Sequence, residues 1–536
     1  MPHKNYNILL LCAALLTLSC VKIGGTLPKV PLPGEARAVV SLNEEFQTIH
    51  SFGASDCWSA KFIGTWADES KKNQIADLLF SLDTTAAGQP KGIGLSLWRM
   101  NIGAGSYEQG EASDIGDAWR REECFLDAQG RYDWSKQAGS QWFLNAARQR
   151  GVPYTLGFAN SPPVHMTVNG KAFAPGTASA SNNDSLNLRT NQLTRFADFL
   201  TEVANHFNLD YLSPVNEPQW DWQAKKNGKA GQEGTPARSR DLIAVAKALS
   251  DRLNATDSKT TVVTGETAQI DYLYDKAESG RGNQLAELFG GSTSLGTLPN
   301  VQPIAAYHSY FSTCDDARLV GTRQKALQAA RAAGSPTLWQ SEFGVLGDIC
   351  GKYNGSPRHT AIDYGLYVAK VLHNDLTVSN VASWQWWLAI NPYNYSDGLV
   401  YINGPDGQFK NHDNARLAGQ VVESKQLWTF GNFARFVRPG MKRIKVAIEG
   451  NADPVAQAGT YMMSGYKDAT RKKIVLVAVN MTSQPVALPL SGLAVKNKRF
   501  VTYTTDKDKN LAKASVTSDK IVMVPESVTT LVGYYE

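Results

Sequence analysis

Two glutamates each stand directly after an apolar run of the kind that forms a buried strand. Glu217 lies in "DYLSPVNEPQW" and Glu342 lies in "PTLWQSEFG". Two carboxyl groups that face each other over a bound sugar can break a glycosidic bond, because one protonates the leaving oxygen while the other attacks or assists at the anomeric carbon. A separation of roughly 5 to 5.5 Å gives retention, and one of roughly 6.5 to 9.5 Å gives inversion. The sequence alone does not fix that distance.

A regular set of strands is needed to bring the two glutamates together. Stretches of helical period, such as residues 195–207 and 240–253, separate eight short apolar or alternating runs. The runs are "FQTIHSFGAS", "GIGLSLWRMNIG", "VPYTLGFANSPP", "LDYLSPVNEP", "TTVVTGET", "QPIAAYHSY", "PTLWQSEFG" and "VASWQWWLAI". Eight strands alternating with helices predict an α/β fold, a (β/α)8 TIM barrel. A doubly wound open sheet is disfavoured, because the sequence lacks its glycine-rich first turn.

In such a barrel, the residues that carry out chemistry lie at the carboxyl ends of the strands. Glu217 follows the fourth run and Glu342 follows the seventh, which lies across the barrel. Pro218 predicts the end of the fourth strand, because proline cannot donate to a β-ladder. A single glutamate in a loop is usually a solvated residue or an ion-pair partner. Two strand-end glutamates flanked by polar and aromatic residues favour the catalytic interpretation.

The pattern of the chain changes after about residue 432. Period-2 runs such as "RFVTYTT" and "SVTTLVGYY", bounded by turn residues, predict an antiparallel β-sandwich. We therefore predict a signal peptide at 1–20, a linker at 21–37, a catalytic barrel at 38–431 and a sandwich domain at 432–536. The first barrel residues, "EARAVVSLNEEFQ", alternate in the same way and could add a strand to the sandwich.

The amino terminus has the pattern of a targeting segment. His3 and Lys4 precede the apolar run "ILLLCAALLTL", which is too short to span a membrane. Cys20 is a candidate for the lipid-modified cysteine of a bacterial lipoprotein, although Thr17 stands where such a box usually has leucine. An ordinary cleaved signal peptide is the alternative. The sequence thus predicts export, either to the bacterial cell envelope as a lipoprotein attached to the membrane through Cys20, or to the periplasm or the medium.

Charge and cysteine spacing exclude several other classes of protein. Lys and Arg number 54 and Asp and Glu number 49, without any basic run, so nucleic-acid binding is disfavoured. No CxxC spacing is present, so a zinc site is not expected. Cys314 and Cys350 follow strands predicted to be neighbours and are the expected disulfide pair, with reduced buried thiols as the alternative. No GxSxG elbow of a serine esterase occurs.

Five motifs together resemble glycoside hydrolase family 30. They are "FGASDCW" at 52–58, "NSPP" at 160–163, "NEP" at 216–218, "SEFG" at 341–344 and "PESVTTLV" at 525–532. The resemblance covers almost the whole mature chain and implies a retaining hydrolase with a barrel and a side-attached β-sandwich. It implies that Glu217 is the acid/base and Glu342 the nucleophile, and that Asn216 binds the sugar 2-hydroxyl.

Several further residues are candidates for the substrate site. Arg99 and Tyr310, at the ends of strands two and six, are candidate donors to the nucleophile, although Arg99 could equally brace the barrel floor. His308 lines the sugar site or is a satisfied structural histidine. Flat aromatic faces and amide groups suit sugar rings. Candidates of this type are Trp58, Asn160, Trp220, Trp386 and Trp387. Because side chains alternate along a strand, one of Trp386 and Trp387 is expected to pack elsewhere.

The motifs "FGASDCW" and "WQWW" resemble most the endo-β-1,6-galactanase-like branch of the family. That resemblance implies action on galactan side chains of arabinogalactan. A xylanase or another β-glycanase or β-glycosidase of the same family is an alternative, and so is a non-hydrolytic glycan-binding lipoprotein. We expect a polysaccharide or oligosaccharide substrate, a monomer, and no metal or organic cofactor, because two carboxyl groups suffice for this chemistry.

Overall fold

The structure is a computed structural model that describes residues 37–177, 185–275, 280–291 and 294–536. The predicted signal peptide at 1–20 and almost all of the predicted linker at 21–37 lie outside the described residues. Within the described part of the chain, no helix is both long enough and apolar enough to cross a bilayer.

Eight parallel strands form a closed barrel. Each strand pairs with the next, and the eighth pairs with both the seventh and the first. In chain order the strands are Ser51–Ser55, Leu97–Ile102, Tyr154–Ala159, Tyr211–Ser213, Thr261–Thr267, Val301–His308, Thr337–Phe343 and Ser383–Asn391. Each coincides with one of the eight predicted runs, with Val301 and Asn391 one residue beyond the sixth and eighth runs, so the predicted barrel is confirmed. Strands Gly398–Asn403 and Gln420–Glu423 extend the sheet beyond the eighth strand.

Helices cover the outside of the barrel. Helix Leu193–His206 buries Phe196, Phe199, Leu200 and Val203, which recur at helical spacing and face the strands. The main barrel helices are Glu69–Phe80, Ala138–Gln149, Leu193–His206, Ser239–Ala255, Asp316–Ala332, Ile362–Thr377 and Lys425–Ala434. Between the fifth and sixth strands, the described residues form only short turns of helix, Ile270–Leu273, Leu285–Phe289 and Leu295–Thr297.

The fourth barrel strand ends earlier than the sequence suggests. Its ladder covers only Tyr211–Ser213, and Pro214 follows, so Pro214 rather than Pro218 ends the strand. An isolated bridge between Asn216 and Glu266 then rejoins the chain to the fifth strand. The segment that carries Glu217 is therefore held against the barrel rim without being part of a regular strand.

The second domain is built on an eight-stranded, mainly antiparallel sheet. Its strands, in spatial order, are Leu490–Ser491, Ala38–Thr48, Lys442–Ile448, Tyr461–Asp468, Lys473–Asn480, Ser527–Tyr534, Arg499–Thr505 and Ala512–Thr517. A small two-stranded sheet, Val486–Ala487 with Val522–Met523, is paired separately. Ala38–Thr48 thus joins this domain, and the predicted boundary at 431/432 falls inside helix Lys425–Ala434.

Both faces are buried at the centre of this sheet, which explains the nearly continuous apolar pattern of its central strands Tyr461–Asp468, Lys473–Asn480 and Ser527–Tyr534. In Lys473–Asn480, Val475, Val477 and Val479 belong to the core shared with the barrel, while Ile474 and Leu476 belong to the separate core of the domain. Helix Lys425–Ala434 joins the two parts, since Asn432 donates to the carbonyl oxygen of Tyr503 at 2.9 Å. The sheet therefore packs rigidly against the side of the barrel.

The loops after the sixth and seventh strands are joined covalently. Cys314 and Cys350 form the expected disulfide, with their Cα atoms 6.1 Å apart. Cys57 and Cys124 are buried free thiols.

Candidate active site

The two predicted glutamates meet at the carboxyl end of the barrel. One carboxylate oxygen of Glu217, one of Glu342 and a ring nitrogen of His308 all lie within 4.8 Å of one another. Both glutamates are almost fully buried, with 8% and 4% of their surface exposed. The short separation corresponds to the spacing of retaining glycosidases and leaves no room for the water that an inverting enzyme places between its carboxyl groups.

The backbone around Glu217 is held in an unusual conformation. Its φ is +46°, a left-handed value that costs free energy in residues other than glycine. The N–H of Glu217 donates to the carbonyl oxygen of Glu266 at 3.0 Å, and its own carbonyl accepts from Trp222 Nε1 at 2.9 Å. The Trp222 ring lies on Gly234, where a Cβ would come within 2.3 Å of it. These contacts fix the direction of the Glu217 side chain.

Arg99, which is fully buried, joins the nucleophile candidate to a third glutamate. Its Nη1 donates to Glu342 Oε2 at 2.8 Å, and its Nη2 donates to both oxygens of Glu266 at 3.2 Å and to Asn216 Oδ1 at 3.0 Å. Its guanidinium also covers the Phe158 ring at 3.6 Å. Burial alone would lower the pKa of Arg99, but Glu266 and Glu342 raise it above its usual value. Arg99 therefore stays charged.

The environments of the two glutamates differ in a way that separates their roles. Burial raises the pKa of Glu217 to about 8. Burial also raises the pKa of Glu342, but His308 and Arg99 oppose that rise. Because Arg99 donates directly to Glu342, a single proton shared by the pair is placed on Glu217. This difference suits Glu217 as a proton donor and Glu342 as an ionised carboxylate.

Replacing Arg99 by methionine is expected to destabilise the protein by about 3–5 kcal/mol, because the change leaves the buried charges of Glu266 and Glu342 unpaired. Urea unfolding followed by fluorescence would measure the loss. Arg131→Met is the matched control, since its ion pair with Asp127 is exposed, and we expect a change within about 0.5 kcal/mol. Equal unfolding midpoints for the two variants would contradict the importance of the Arg99 network.

The remaining polar candidates lie around the glutamates. Tyr310 Oη donates to Glu342 Oε1 at 3.1 Å. His308 is fully buried with Nδ1 2.8 Å from Glu217 Oε1, and burial lowers its pKa. Asn216 lines the cavity, but its amide donates to Asn160 Oδ1 at 3.2 Å. Asn160 in turn donates to Asn101 at 3.3 Å, so Asn160 lies behind the cavity wall and supports Asn216.

Two cavities share a wall at this end of the barrel. The catalytic cavity, with a volume of about 190 Å³, contains both glutamates together with Trp220, Trp222 and Phe311. The side cavity, of about 240 Å³, is lined by residues that include Trp58, Arg120, Tyr393 and Asp397. Gln232, Leu346 and Trp387 line both. The two cavities therefore adjoin each other at these three residues.

The adjacent tryptophans of the eighth strand point in different directions. Trp387 lines both cavities and meets Trp58 edge to face at 5.1 Å. Trp386 is fully buried, packs edge-on against Phe343 at 6.3 Å and donates to the carbonyl oxygen of Asp397 at 2.7 Å. Trp386 lines neither cavity, so its prediction as a substrate contact does not fit its position. The alternation of side chains along the strand is the reason.

Sequence reasoning missed several residues of the site. Glu266 ends the run "TTVVTGET" as Glu217 and Glu342 end theirs, so the same rule would have found it. Asp397 and Arg120 come from loops, where no spacing indicates them. Burial raises the pKa of Asp397 to about 7, and nearby Arg120 opposes the rise. Gly344 allows this approach, because a Cβ there would lie 3.0 Å from that of Asp397.

Among the described residues, one group has His, Asp, Glu or Cys atoms close enough together to hold a metal ion. It consists of Glu217, His308 and Glu342. A histidine nitrogen with two carboxylates suits a divalent transition metal. The group coincides with the carboxyl pair, so an ion there would occupy both the proton donor and the nucleophile. Metal binding at this point and glycoside hydrolysis by the same two carboxyl groups therefore exclude each other.

Comparisons with known proteins agree with this fold. A conserved exported protein from Bacteroides fragilis is 32% identical and superposes with a TM-score of 0.84, over 92% of this chain and 100% of that one. The catalytic domain of xylanase C from Talaromyces cellulolyticus is 18% identical with a TM-score of 0.64, over 93% and 99%. An endo-β-1,6-glucanase is 14% identical with a TM-score of 0.62, over 93% and 94%.

A barrel with a carboxyl pair at the ends of its fourth and seventh strands, beside a side-attached sheet domain, defines a glycoside hydrolase. The model of O-glycosyl hydrolase family 30 matches residues 35–401. The chain belongs to that family, as the five sequence motifs indicated.

Proposed function

We propose that the protein is an exported, retaining endo-β-1,6-galactanase that acts on the galactan side chains of arabinogalactan. The approach of Glu217 and Glu342 to within 4.8 Å carries the retaining mechanism. The galactan substrate is supported by the resemblance of "FGASDCW" and "WQWW" to the endo-β-1,6-galactanase-like branch. Residues of both motifs, Trp58 and Trp387, face the side cavity.

The mechanism follows from the two protonation states. Glu217 gives its proton to the glycosidic oxygen while Glu342 attacks the anomeric carbon, so the C–O bond breaks and a glycosyl ester forms on Glu342. The leaving sugar departs with the proton. Glu217, now a carboxylate, takes a proton from water as that water attacks the anomeric carbon, and Glu342 is released. Arg99 and Tyr310 hold Glu342 in place for both steps.

Substrate recognition combines flat rings with polar groups. In this proposal, Trp58 and Trp387 contact apolar faces of the sugar chain, while Asp397 and Arg120 bind hydroxyl groups in the side cavity. Asn216 binds the 2-hydroxyl of the sugar at the anomeric carbon, held by its contacts with Arg99 and Asn160. No organic cofactor has a part in these steps.

The proposed location rests on the leader and on a relative. The apolar segment before Cys20 predicts export, and a relative 32% identical bears the name of a conserved exported protein. We propose that Cys20 is lipid-modified and attaches the protein to the membrane, and that the protein acts there as a monomer. An ordinary cleaved signal peptide would instead release the protein from the membrane.

Release of reducing ends from three polysaccharides tests the function. We expect oligosaccharides from de-arabinosylated arabinogalactan, and little or no product from glucuronoxylan or β-1,6-glucan. Product sizing distinguishes endo from exo action. NMR of the first-formed anomer tests whether the anomeric configuration is retained. Product from xylan or β-1,6-glucan alone would replace the galactanase by the corresponding β-glycanase. If a polysaccharide bound to the immobilised protein and no product formed, the protein would instead be a non-hydrolytic glycan-binding protein.

A further inference from the structure

Apolar side chains are exposed at the rim of the catalytic cavity. Phe311 is 44% exposed and has a φ of +59°, a conformation that a bulky residue adopts at a cost in free energy. Its ring meets Trp220 edge to face at 6.2 Å, and Trp220 meets Tyr272 in the same way at 6.4 Å. We call Trp220 and Phe311 the rim pair. An exposed phenylalanine packed on a half-buried tryptophan beside buried glutamates points to a ligand that covers the pair.

The position of the rim pair shows which part of a substrate would reach it. Trp220 follows Glu217 by three residues, and both rim residues line the catalytic cavity together with Glu217. Neither of them lines the side cavity, which holds Trp58, Arg120 and Asp397. Glu217 must face the glycosidic oxygen that it protonates, so a sugar leaving from that oxygen occupies the cavity that Glu217 shares with the rim pair.

The disulfide holds the loops around the rim pair. Phe311 lies three residues before Cys314, and Leu346, which also lines the catalytic cavity, lies four residues before Cys350. The bridge therefore ties the loop after the sixth strand to the loop after the seventh, directly beside the rim. A bridge in this place restricts how far Phe311 can move from the cavity.

We propose that Trp220 and Phe311 form a stacking surface for the sugar on the leaving-group side of the cleaved bond, and that the Cys314–Cys350 bridge fixes this surface. The ligand is a hexose or pentose unit of a β-linked glycan. This inference rests on the proposed function, because it assumes that Glu217 protonates the leaving sugar. It assigns a role to a phenylalanine and a disulfide that the hydrolytic mechanism does not otherwise require.

A comparison of two substrates tests the stacking surface. A glycosyl fluoride has no leaving sugar, so it does not use the rim pair, whereas a polysaccharide does. We expect Phe311→Leu to lower kcat/KM on the responding polysaccharide about tenfold more than on the β-fluoride of its sugar, namely galactosyl, glucosyl or xylosyl fluoride. Phe311→Tyr should restore the polysaccharide rate, because it keeps the ring. Tyr534→Ala, an exposed aromatic on the second domain, is the matched control and should change neither rate.

The bridge is tested with the Cys314→Ser/Cys350→Ser double variant and with reduced wild type. Each should show the same preferential loss on polysaccharide, mainly as a higher KM. Equal losses on both substrates, or no loss on polysaccharide in Phe311→Leu, would overturn the proposal.

If wild type hydrolyses nothing, the proposed function has failed. The stacking surface is then tested by how strongly each of the three polysaccharides retards the protein in affinity electrophoresis. Weaker retention by Phe311→Leu than by Phe311→Tyr then supports the surface, whereas equal or absent retention overturns it.

Discussion

Glu342→Ala should reduce hydrolysis of the responding polysaccharide by at least about 10⁴-fold while leaving the fold intact. The variant removes the oxygen that forms the glycosyl ester. The other carboxylate held by Arg99, that of Glu266, is engaged by the guanidinium and by Ser213 Oγ at 2.5 Å. No second nucleophile in this network is therefore free to attack the anomeric carbon. Reducing-end release measures the loss, and urea unfolding checks the fold.

Two additional observations would separate loss of the nucleophile from general damage. Glu342→Gln keeps the shape of the side chain but not its charge, and it should be as inactive as the alanine variant. Sodium azide added to Glu342→Ala should attack an activated β-glycoside from the opened space and give the α-azide. More than about 1% of parental turnover in both variants would contradict the assignment, because such residual rates are far above those expected after loss of a nucleophile.

The sequence was sufficient for the barrel and for the carboxyl pair because both depend on repeating local patterns. Each barrel strand is short and largely buried, and each coincides with a predicted run to within one residue. The rule that chemistry lies at strand ends then selected Glu217 and Glu342. The same rule applied to the fifth strand would have selected Glu266, whose carboxylate shares Arg99 with Glu342.

The rest of the site depends on loops whose paths are set by tertiary contacts. Asp397 faces the side cavity only because Gly344 leaves room beside it, and Arg120 lies 4.3 Å above the ring of Trp58 from a separate loop. No spacing in the sequence encodes such approaches. Periodicity did predict that one of Trp386 and Trp387 would turn away, but packing against Phe343 decides which.

Electrostatics links the buried network to the division of roles. Arg99 carries one positive charge and contacts two carboxylates, those of Glu266 and Glu342. A third charge, on Glu217, would be unpaired in a buried site, so burial keeps Glu217 protonated well above the usual pKa of a glutamate. In the proposed mechanism, the position of this single guanidinium distinguishes the acid from the nucleophile.

Glu217→Ala should slow substrates with a sugar leaving group by about 10² to 10⁴-fold, while activated aryl glycosides lose far less. A sugar alkoxide is a poor leaving group and needs the proton of Glu217, whereas a dinitrophenolate leaves without it. The pH profile gives a second measurement. Because the pKa of Glu217 is raised to about 8, the wild type holds its acid below that pH and loses it as pH rises through about 8. In Glu217→Ala this alkaline fall should disappear for aryl glycosides.

The matched control is Glu217→Gln, which keeps the size of the side chain and lacks the titrating proton. It should show the same dependence on the leaving group and the same flat alkaline limb as the alanine variant. A uniform loss on both classes of substrate would mean that Glu217 orients the sugar and does not protonate it. An unchanged alkaline limb in both variants would move the acid to another group, for example Asp397, a buried carboxyl that lines the adjoining cavity and whose pKa burial raises to about 7.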